Sequence, residues 1–246
     1  MKQIPNLFTL LNLLFGCIAI VLILQYNPGG NLNFTGISLM LGCFFIFLSA
    51  LIDFLDGFVA RLFNATSEMG GQLDSLADVV SFGVAPGMIL YKMLEMALSQ
   101  NPQIEDPFWF QLPAFILPCA GAWRLAKFNL DNEQRYYFKG IPIPAAGLII
   151  ASLPLARVGR WDIESLYSNI FIIYALILLI SYLMVSNIPM MSMKFKSKNL
   201  KDNQDKLLLL VIGLTAVIIL QWASVPVIFI VYILLSLIFK PAKTSQ

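Results

Sequence analysis

From one end to the other this chain runs apolar for 15 to 22 residues at a time, as in "LFTLLNLLFGCIAIVLIL" at 7–24 and "IFIIYALILLISYLMV" at 170–185. A run of that length crosses a hydrocarbon core of about 30 Å as a helix, the conformation that satisfies every backbone N–H and C=O without water. Little else is open to a chain of 246 residues that is 59% hydrophobic and only 12% charged. The expected fold class is all-α, a polytopic transmembrane helical bundle. Helices are predicted near residues 7–26, 34–61, 73–98, 108–128, 142–157, 166–187, 206–222 and 225–240, about eight spans. Breaks fall at "NPGGN", "NPQIEDP", "KGIPIP" and "SMKFKSKNLKDNQDK", and no separate soluble domain fits between them. The apolar start lacks a small-residue cleavage site and reads as the first transmembrane helix rather than a signal peptide.

The basic residues choose a topology. With a cytoplasmic N-terminus, Lys2, Arg61, Arg124, Lys127, Arg135, Lys139, the lysines between 194 and 206, Lys240 and Lys243 all fall on the cytoplasmic side, leaving Arg157 and Arg160 outside and Lys92 within a helix. An integral protein of the cytoplasmic membrane with both termini inside is expected. A net charge of +2 argues against a nucleic-acid partner. Cys17, Cys43 and Cys119 have no metal or disulfide spacing and are expected to be small core residues. The chain has no histidine, which excludes Ser-His-Asp hydrolysis and phosphohistidine chemistry; acid–base work must rest on carboxylates, lysine or tyrosine.

Against this background "DFLDGFVARLFNATSEMGGQLDSLADVVSFG" at 53–83 is anomalous. At 100° per residue, Asp53, Asp56, Gly57, Ala60 and Arg61 share an arc of about 140° at the end of the second helix, and Gly70, Asp74, Asp78 and Ser81 an arc of about 80° on the third. Two acidic faces can meet across a tight hairpin at the cytoplasmic surface. Converging carboxylates near a bilayer need cations, protons or water to persist. All-oxygen ligation suits Mg²⁺ or Mn²⁺, and such a site can hold a phosphoryl centre during in-line displacement. Helix capping and pairing with Arg61 would explain one such aspartate, but not four in i,i+3 and i,i+4 register. A divalent-cation transporter is the rival that the residues alone leave open.

The run Asp53-x2-Asp56-Gly57-x2-Ala60-Arg61-x8-Gly70-x3-Asp74-x3-Asp78 resembles the full signature of the CDP-alcohol phosphatidyltransferase family. The resemblance implies a six-helix membrane core, usually dimeric, that transfers the phosphatidyl group of a CDP-linked lipid to a small alcohol and releases CMP. It divides the chain into a core at 1–187, a basic cytoplasmic loop at 188–205 and two additional transmembrane helices at 206–240, within one catalytic domain. It also implies that Asp53, Asp56, Asp74 and Asp78 bind a pair of divalent ions, Mg²⁺ or Mn²⁺, with Asp78 also the general base. Gly57, Ala60 and Arg61 would hold the CDP moiety of CDP-diacylglycerol, Gly70 would keep the two helices close, and Asn6 and Thr9 would line the nucleotide pocket.

Four further stretches, "IPNLFTLLNLLFG", "DSLADVVSFGVAPG", "RLAKFN" and "GIPIPAAG", are similar to the membrane-embedded phosphatidylserine synthases of this family, which implies L-serine as the acceptor. Glycerol phosphate or an inositol phosphate is the alternative acceptor. Serine carries a carboxylate and an ammonium, and Ser81, Arg124, Lys127 and Asn129 are the acceptor-binding candidates. For Arg124 and Lys127, snorkelling from a helix end is an equal explanation. Pro5, Pro142 and Pro144 are expected at helix starts and Pro86 to bend the third helix. Trp109, Trp123, Trp161 and Trp222, with Tyr136 and Tyr137, read as interface anchors, and Gly42 and Gly213 as helix–helix contacts.

Overall fold

The computed structural model describes residues 4–27, 32–62, 67–100, 106–130, 138–156, 169–190 and 204–238. In chain order these form α1 (Ile4–Leu24), α2 (Leu32–Leu62), α3 (Glu68–Asp78), a π-helical segment (Val79–Val84), α4 (Ala85–Ser99), α5 (Phe108–Gln111), a 3₁₀ turn (Leu112–Phe115), α6 (Ile116–Leu130), β1 (Phe138–Lys139), α7 (Ile143–Ala156), α8 (Ile170–Val185), β2 (Pro189–Met190), α9 (Gln204–Leu220), a 3₁₀ turn (Gln221–Ala223) and α10 (Ser224–Ile238). Each of the eight expected helices has its counterpart. The stretches 5–24, 36–59, 68–99 and 206–238 are long and apolar enough to cross a membrane, and α7 and α8 are shorter apolar helices. The last stretch is a hairpin rather than one rod, because α9 and α10 pack on each other across Gln221, whose φ is +51°.

The outer surface is apolar. Leu7, Phe171, Ile218 and Ile238 are between 67% and 79% exposed, and many other large hydrophobic residues join them, far more than water tolerates on a soluble domain. This is an integral membrane protein of the all-α class. Its centre is α7: twelve of its fourteen residues are buried, because α2, α4, the π segment and α10 all pack around it. Phe82, Ile89, Leu90, Leu94, Leu117, Ile150 and Ile173 fill the space between α4, α6, α7 and α8.

Close approach of backbones sets the geometry. A β-carbon at Gly42 would lie 2.6 Å from Ile23 Cγ1 and 3.1 Å from the Ala19 carbonyl oxygen, so α1 and α2 touch as the small residue predicted; at Gly213 the nearest atom, on Ile228, is an ordinary 3.8 Å away. The C-terminal ends of α6 and α8 are tied by a strap: β1 pairs antiparallel with β2, Gly140 N–H donates to the Ile188 carbonyl at 2.9 Å, and Ile141 N–H donates to that of Leu183 at 3.1 Å. Gly140 has φ +72° and meets three carbonyl oxygens within 3 Å of where a β-carbon would sit, so no other residue fits there.

Several sequence expectations are adjusted. The third helix starts at Glu68 instead of residue 73, since Ser67 caps it by accepting from Gly70 N–H at 3.0 Å, which outweighs the helix-breaking tendency of Gly70 and Gly71. Pro86 is accommodated by the π segment ahead of it, whose wider turn absorbs the register change. Pro5 and Pro144 stand in the first turns of α1 and α7. Of the cysteines only Cys43 is a core residue; Cys17 and Cys119 are exposed, on faces where a lipid-exposed thiol costs as little as a buried one. Trp109 and Trp123 are each 66% exposed, and Trp222 packs edge-on against Phe47, centroids 5.4 Å apart. Trp161, Tyr136, Tyr137, Arg135, Arg157, Arg160 and the lysines at 194, 196, 198 and 201 lie outside the described residues.

Candidate active site

Helices α2 and α3 bring three carboxylates to one point. Oxygens of Asp53, Asp56 and Asp74 lie within 4.8 Å of one another, and the Asp53 and Asp74 carboxyls face each other at hydrogen-bonding range. The spacing explains it: residues three or four apart stack on one helix face, and the connection between Leu62 and Ser67 is too short to let the faces diverge. Asp78, one turn beyond Asp74, stands outside this trio but interacts electrostatically with all three of its members and with Arg124 on α6. None of the four aspartates caps a helix end through its side chain, and among the described residues none forms an ion pair; Lys92 and Glu95, 2.7 Å apart, make the one described.

Three other helices complete the surroundings. From α1, Thr9 reaches the cluster: its hydroxyl lies 3.0 Å from Asp56 Oδ2 and 3.2 Å from the Pro5 carbonyl. Asn6 Oδ1 sits against Gly70, where a β-carbon would approach it to 3.1 Å, so the missing side chain at position 70 eases the approach of α1 to α3. Gly57 has open space, nothing within 4 Å of a β-carbon built there, beside the buried Asp56. Ala60 and Arg61 belong to α2, but their side chains lie outside the described residues.

The acceptor candidates separate into different environments. Arg124 is buried, stacks its guanidinium 6.0 Å above the Phe128 ring, and leaves Nε without a hydrogen-bond partner. Ser81 is fully buried and donates to the Asn12 carbonyl at 3.0 Å. Lys127 donates to Asn187 Oδ1 at 2.7 Å, and Asn129 Nδ2 donates to Ser75 Oγ at 3.0 Å, both nearer solvent. Sequence reasoning missed Asn12, a fully buried carboxamide one turn beyond Thr9; a lone polar residue in "TLLNLL", in register with Thr9, was the available signal.

The trio suits a hard cation. Its donors are all carboxylate oxygens, they converge from two helices, and enclosed oxygens of Asp74 and Asp78 have no hydrogen-bond partner. Without positive charge such an array is repulsive.

A family model for CDP-alcohol phosphatidyltransferases matches residues 2–191, which hold the whole arrangement. The chain belongs to the CDP-alcohol phosphatidyltransferase family. The match ends before α9. Among curated relatives of this transferase, a protein of Bacillus subtilis is 37% identical over 153 residues, covering 62% of this chain and 76% of its own length. One of Helicobacter pylori is 34% identical over 199 residues, covering 80% and 75%. One of Saccharomyces cerevisiae is 35% identical over 160 residues, covering 61% and 53%. All three are named CDP-diacylglycerol–serine O-phosphatidyltransferase. Family membership favours group transfer over cation carriage, the rival that the aspartates alone left open.

Proposed function

We propose that this membrane transferase moves the phosphatidyl group of CDP-diacylglycerol to the hydroxyl of L-serine, giving phosphatidylserine and CMP. The observation that carries the reading is the meeting of Asp53, Asp56 and Asp74 beside a fourth carboxylate, Asp78, that stands apart from them. Relatives named for this reaction support the choice of serine.

Asp53, Asp56 and Asp74 would hold Mg²⁺ or Mn²⁺, with Asp78 reaching a second ion of the pair. Bound there, the metal would neutralise charge on the pyrophosphate and polarise the phosphorus under attack. Asp78, enclosed and with a free oxygen, takes the proton of the serine hydroxyl as the serine oxygen bonds to the phosphorus bearing diacylglycerol. The bond from that phosphorus to the bridging oxygen breaks, and CMP leaves with the electron pair. Thr9 holds Asp56 in place from α1, and Gly57 leaves room for a phosphate to approach the backbone of α2. Ala60, Arg61 and Asn6 complete the nucleotide side, and Gly70 sets the spacing between α1 and α3. Arg124 meets the serine carboxylate, while Ser81, Lys127 and Asn129 hold the helices and rim around it.

Residues 1–187 form the catalytic core and 206–240 a hairpin added to it; the basic stretch 188–205 that links them lies mostly outside the described residues. Both termini and the site face the cytoplasm, where CMP is released and serine arrives, and two copies associate as a homodimer. The test is to follow CMP and lipid product from purified protein, Mn²⁺ or Mg²⁺ and CDP-diacylglycerol, with serine, glycerol 3-phosphate or inositol phosphate offered separately. Serine-dependent phosphatidylserine is expected; product with another alcohol alone would overturn the acceptor.

A further inference from the structure

Buried polar atoms without a hydrogen-bond partner are few in folded proteins, and each asks for a ligand, a water or a role. Among the described residues they occur on Asn12, Asp74, Asp78, Arg124 and Ser181. Three of these belong to the carboxylate site and its arginine, and Ser181 lies on α8, which packs on α6. Asn12 is the outlier. It is a neutral carboxamide with 0% exposure, and both Nδ2 and Oδ1 lack a partner.

Its position is built with care. Residues 9, 12 and 16 share the inward face of α1: Thr9 bonds to Asp56, and Gly16 lies directly against Ser81, where no β-carbon would fit. The Asn12 carbonyl accepts from Ser49 of α2 at 3.3 Å and from Ser81 of the π segment at 3.0 Å. Those two hydroxyls spend their hydrogens on the main chain and so pin the residue, leaving its amide unused. Side chains on a helix lean toward its N-terminus, which for Asn12 is the end where Thr9 meets Asp56. That lean directs the amide toward the end of α1 that holds Asp56, and the Ser81 hydroxyl on the Asn12 carbonyl sets the residue level with the turn that follows Asp78.

α1 and α6 hardly touch each other, yet both pack on the π segment that follows Asp78, α1 through Ser81 and α6 through Gly83, whose β-carbon position lies 3.3 Å from Pro118 Cα. Arg124, which interacts electrostatically with Asp78, and Asn12, whose carbonyl holds Ser81, thus stand on two different helices around the same π segment. A small acceptor whose hydroxyl meets Asp78 would find a guanidinium on one flank and a neutral amide oxygen on the other.

We infer that Asn12 is a specificity-determining residue that reads the α-ammonium of the amino-acid acceptor through Oδ1, while Arg124 reads its carboxylate. The inference rests on the serine reading above and deepens it. A site built to bond an N–H group discriminates strongly against an analogue lacking it, because its own polar atoms are then left unpaired. A neutral amide does this without adding a fifth negative charge beside four aspartates.

The test uses the full-length protein in detergent with Mn²⁺, CDP-diacylglycerol and three acceptors: L-serine, 3-hydroxypropanoate, which lacks the ammonium, and ethanolamine, which lacks the carboxylate. Asn12→Leu is expected to lower the kcat/KM preference for serine over 3-hydroxypropanoate by about tenfold or more, and to leave the preference over ethanolamine and the KM for CDP-diacylglycerol within about twofold. Arg124→Gln should do the reverse, eroding the preference over ethanolamine. The same loss should show without turnover, as a smaller rise in melting temperature when L-serine is added to the Mn²⁺-loaded Asn12→Leu protein with no CDP-diacylglycerol present. Asn12→Ala serves as the second variant should the leucine disturb folding, and should lose the same preference. An unchanged preference in the folded Asn12 variants, with only stability lowered, would overturn the inference. Wild-type protein that turns over glycerol 3-phosphate but not serine would instead overturn the acceptor reading beneath it.

Discussion

The hydroxyl of Thr9 on α1 stands 3.0 Å from Asp56 Oδ2 on α2, so the first helix of the bundle supports the acidic site that the second and third helices build. A ligand-orienting bond of this kind tunes metal affinity more than the chemical step. Thr9→Val is expected to raise the Mn²⁺ concentration for half-maximal activity about tenfold, with kcat at saturating metal much less affected. Thr9→Ser should restore the wild-type value. A metal titration of the three proteins checks this.

Asp78 is separated from the trio and has an enclosed, unpartnered oxygen. If it takes the serine proton, Asp78→Asn should lower kcat by about 10²- to 10⁴-fold, the usual contribution of a general base, while CDP-diacylglycerol still binds. Single-turnover CMP formation together with lipid binding separates the two effects.

The glycines divide by what lies beside them. A β-carbon at Gly147 would sit 3.1 Å from the Cα, Cβ and O of Phe82, and backbone cannot yield cheaply. Gly147→Ala is expected to cost about 1–3 kcal/mol of stability through overpacking and to displace the π segment behind Asp78. Gly57 has nothing within 4 Å, so Gly57→Ala should leave the melting temperature unchanged and raise the KM for CDP-diacylglycerol, because the added methyl stands where a phosphate would approach. Thermal unfolding beside kinetics distinguishes them.

Because charge repulsion among Asp53, Asp56 and Asp74 is relieved only by a cation or protons, chelation should abolish transfer and lower the melting temperature, and Mg²⁺ or Mn²⁺ should restore both. In an Asp53→Asn, Asp74→Asn double variant the added metal should no longer raise the melting temperature.

Much of this was legible because two periodicities write themselves into the residues. Apolar runs of membrane length announced the eight helices, and the three- and four-residue spacing of Asp53, Asp56, Asp74 and Asp78 announced their two faces. What the spacing lacks is depth: it put all four aspartates in one set, whereas the structure holds three together and sets Asp78 a turn further in, against α6. The π segment was hidden for a related reason. It is seated by Gly147 against Phe82 and Gly83 against Pro118, neighbours remote in the chain that no local pattern reports. Cys17 and Cys119 were placed inside because an apolar helix in lipid has no polar face to mark its outside. Asn12 escaped because a single polar residue in an apolar run has no period at all.

The central claim, that serine itself attacks phosphorus at this site, is tested most directly by supplying L-serine whose hydroxyl oxygen is a heavy isotope, with CDP-diacylglycerol and Mn²⁺, and weighing both products. The account predicts phosphatidylserine that retains the heavy oxygen between serine and phosphorus, alongside unlabelled CMP, and loss of both products in Asp78→Asn. Phosphatidylserine without the label, or CMP formed at the same rate whether or not serine is present, would contradict it.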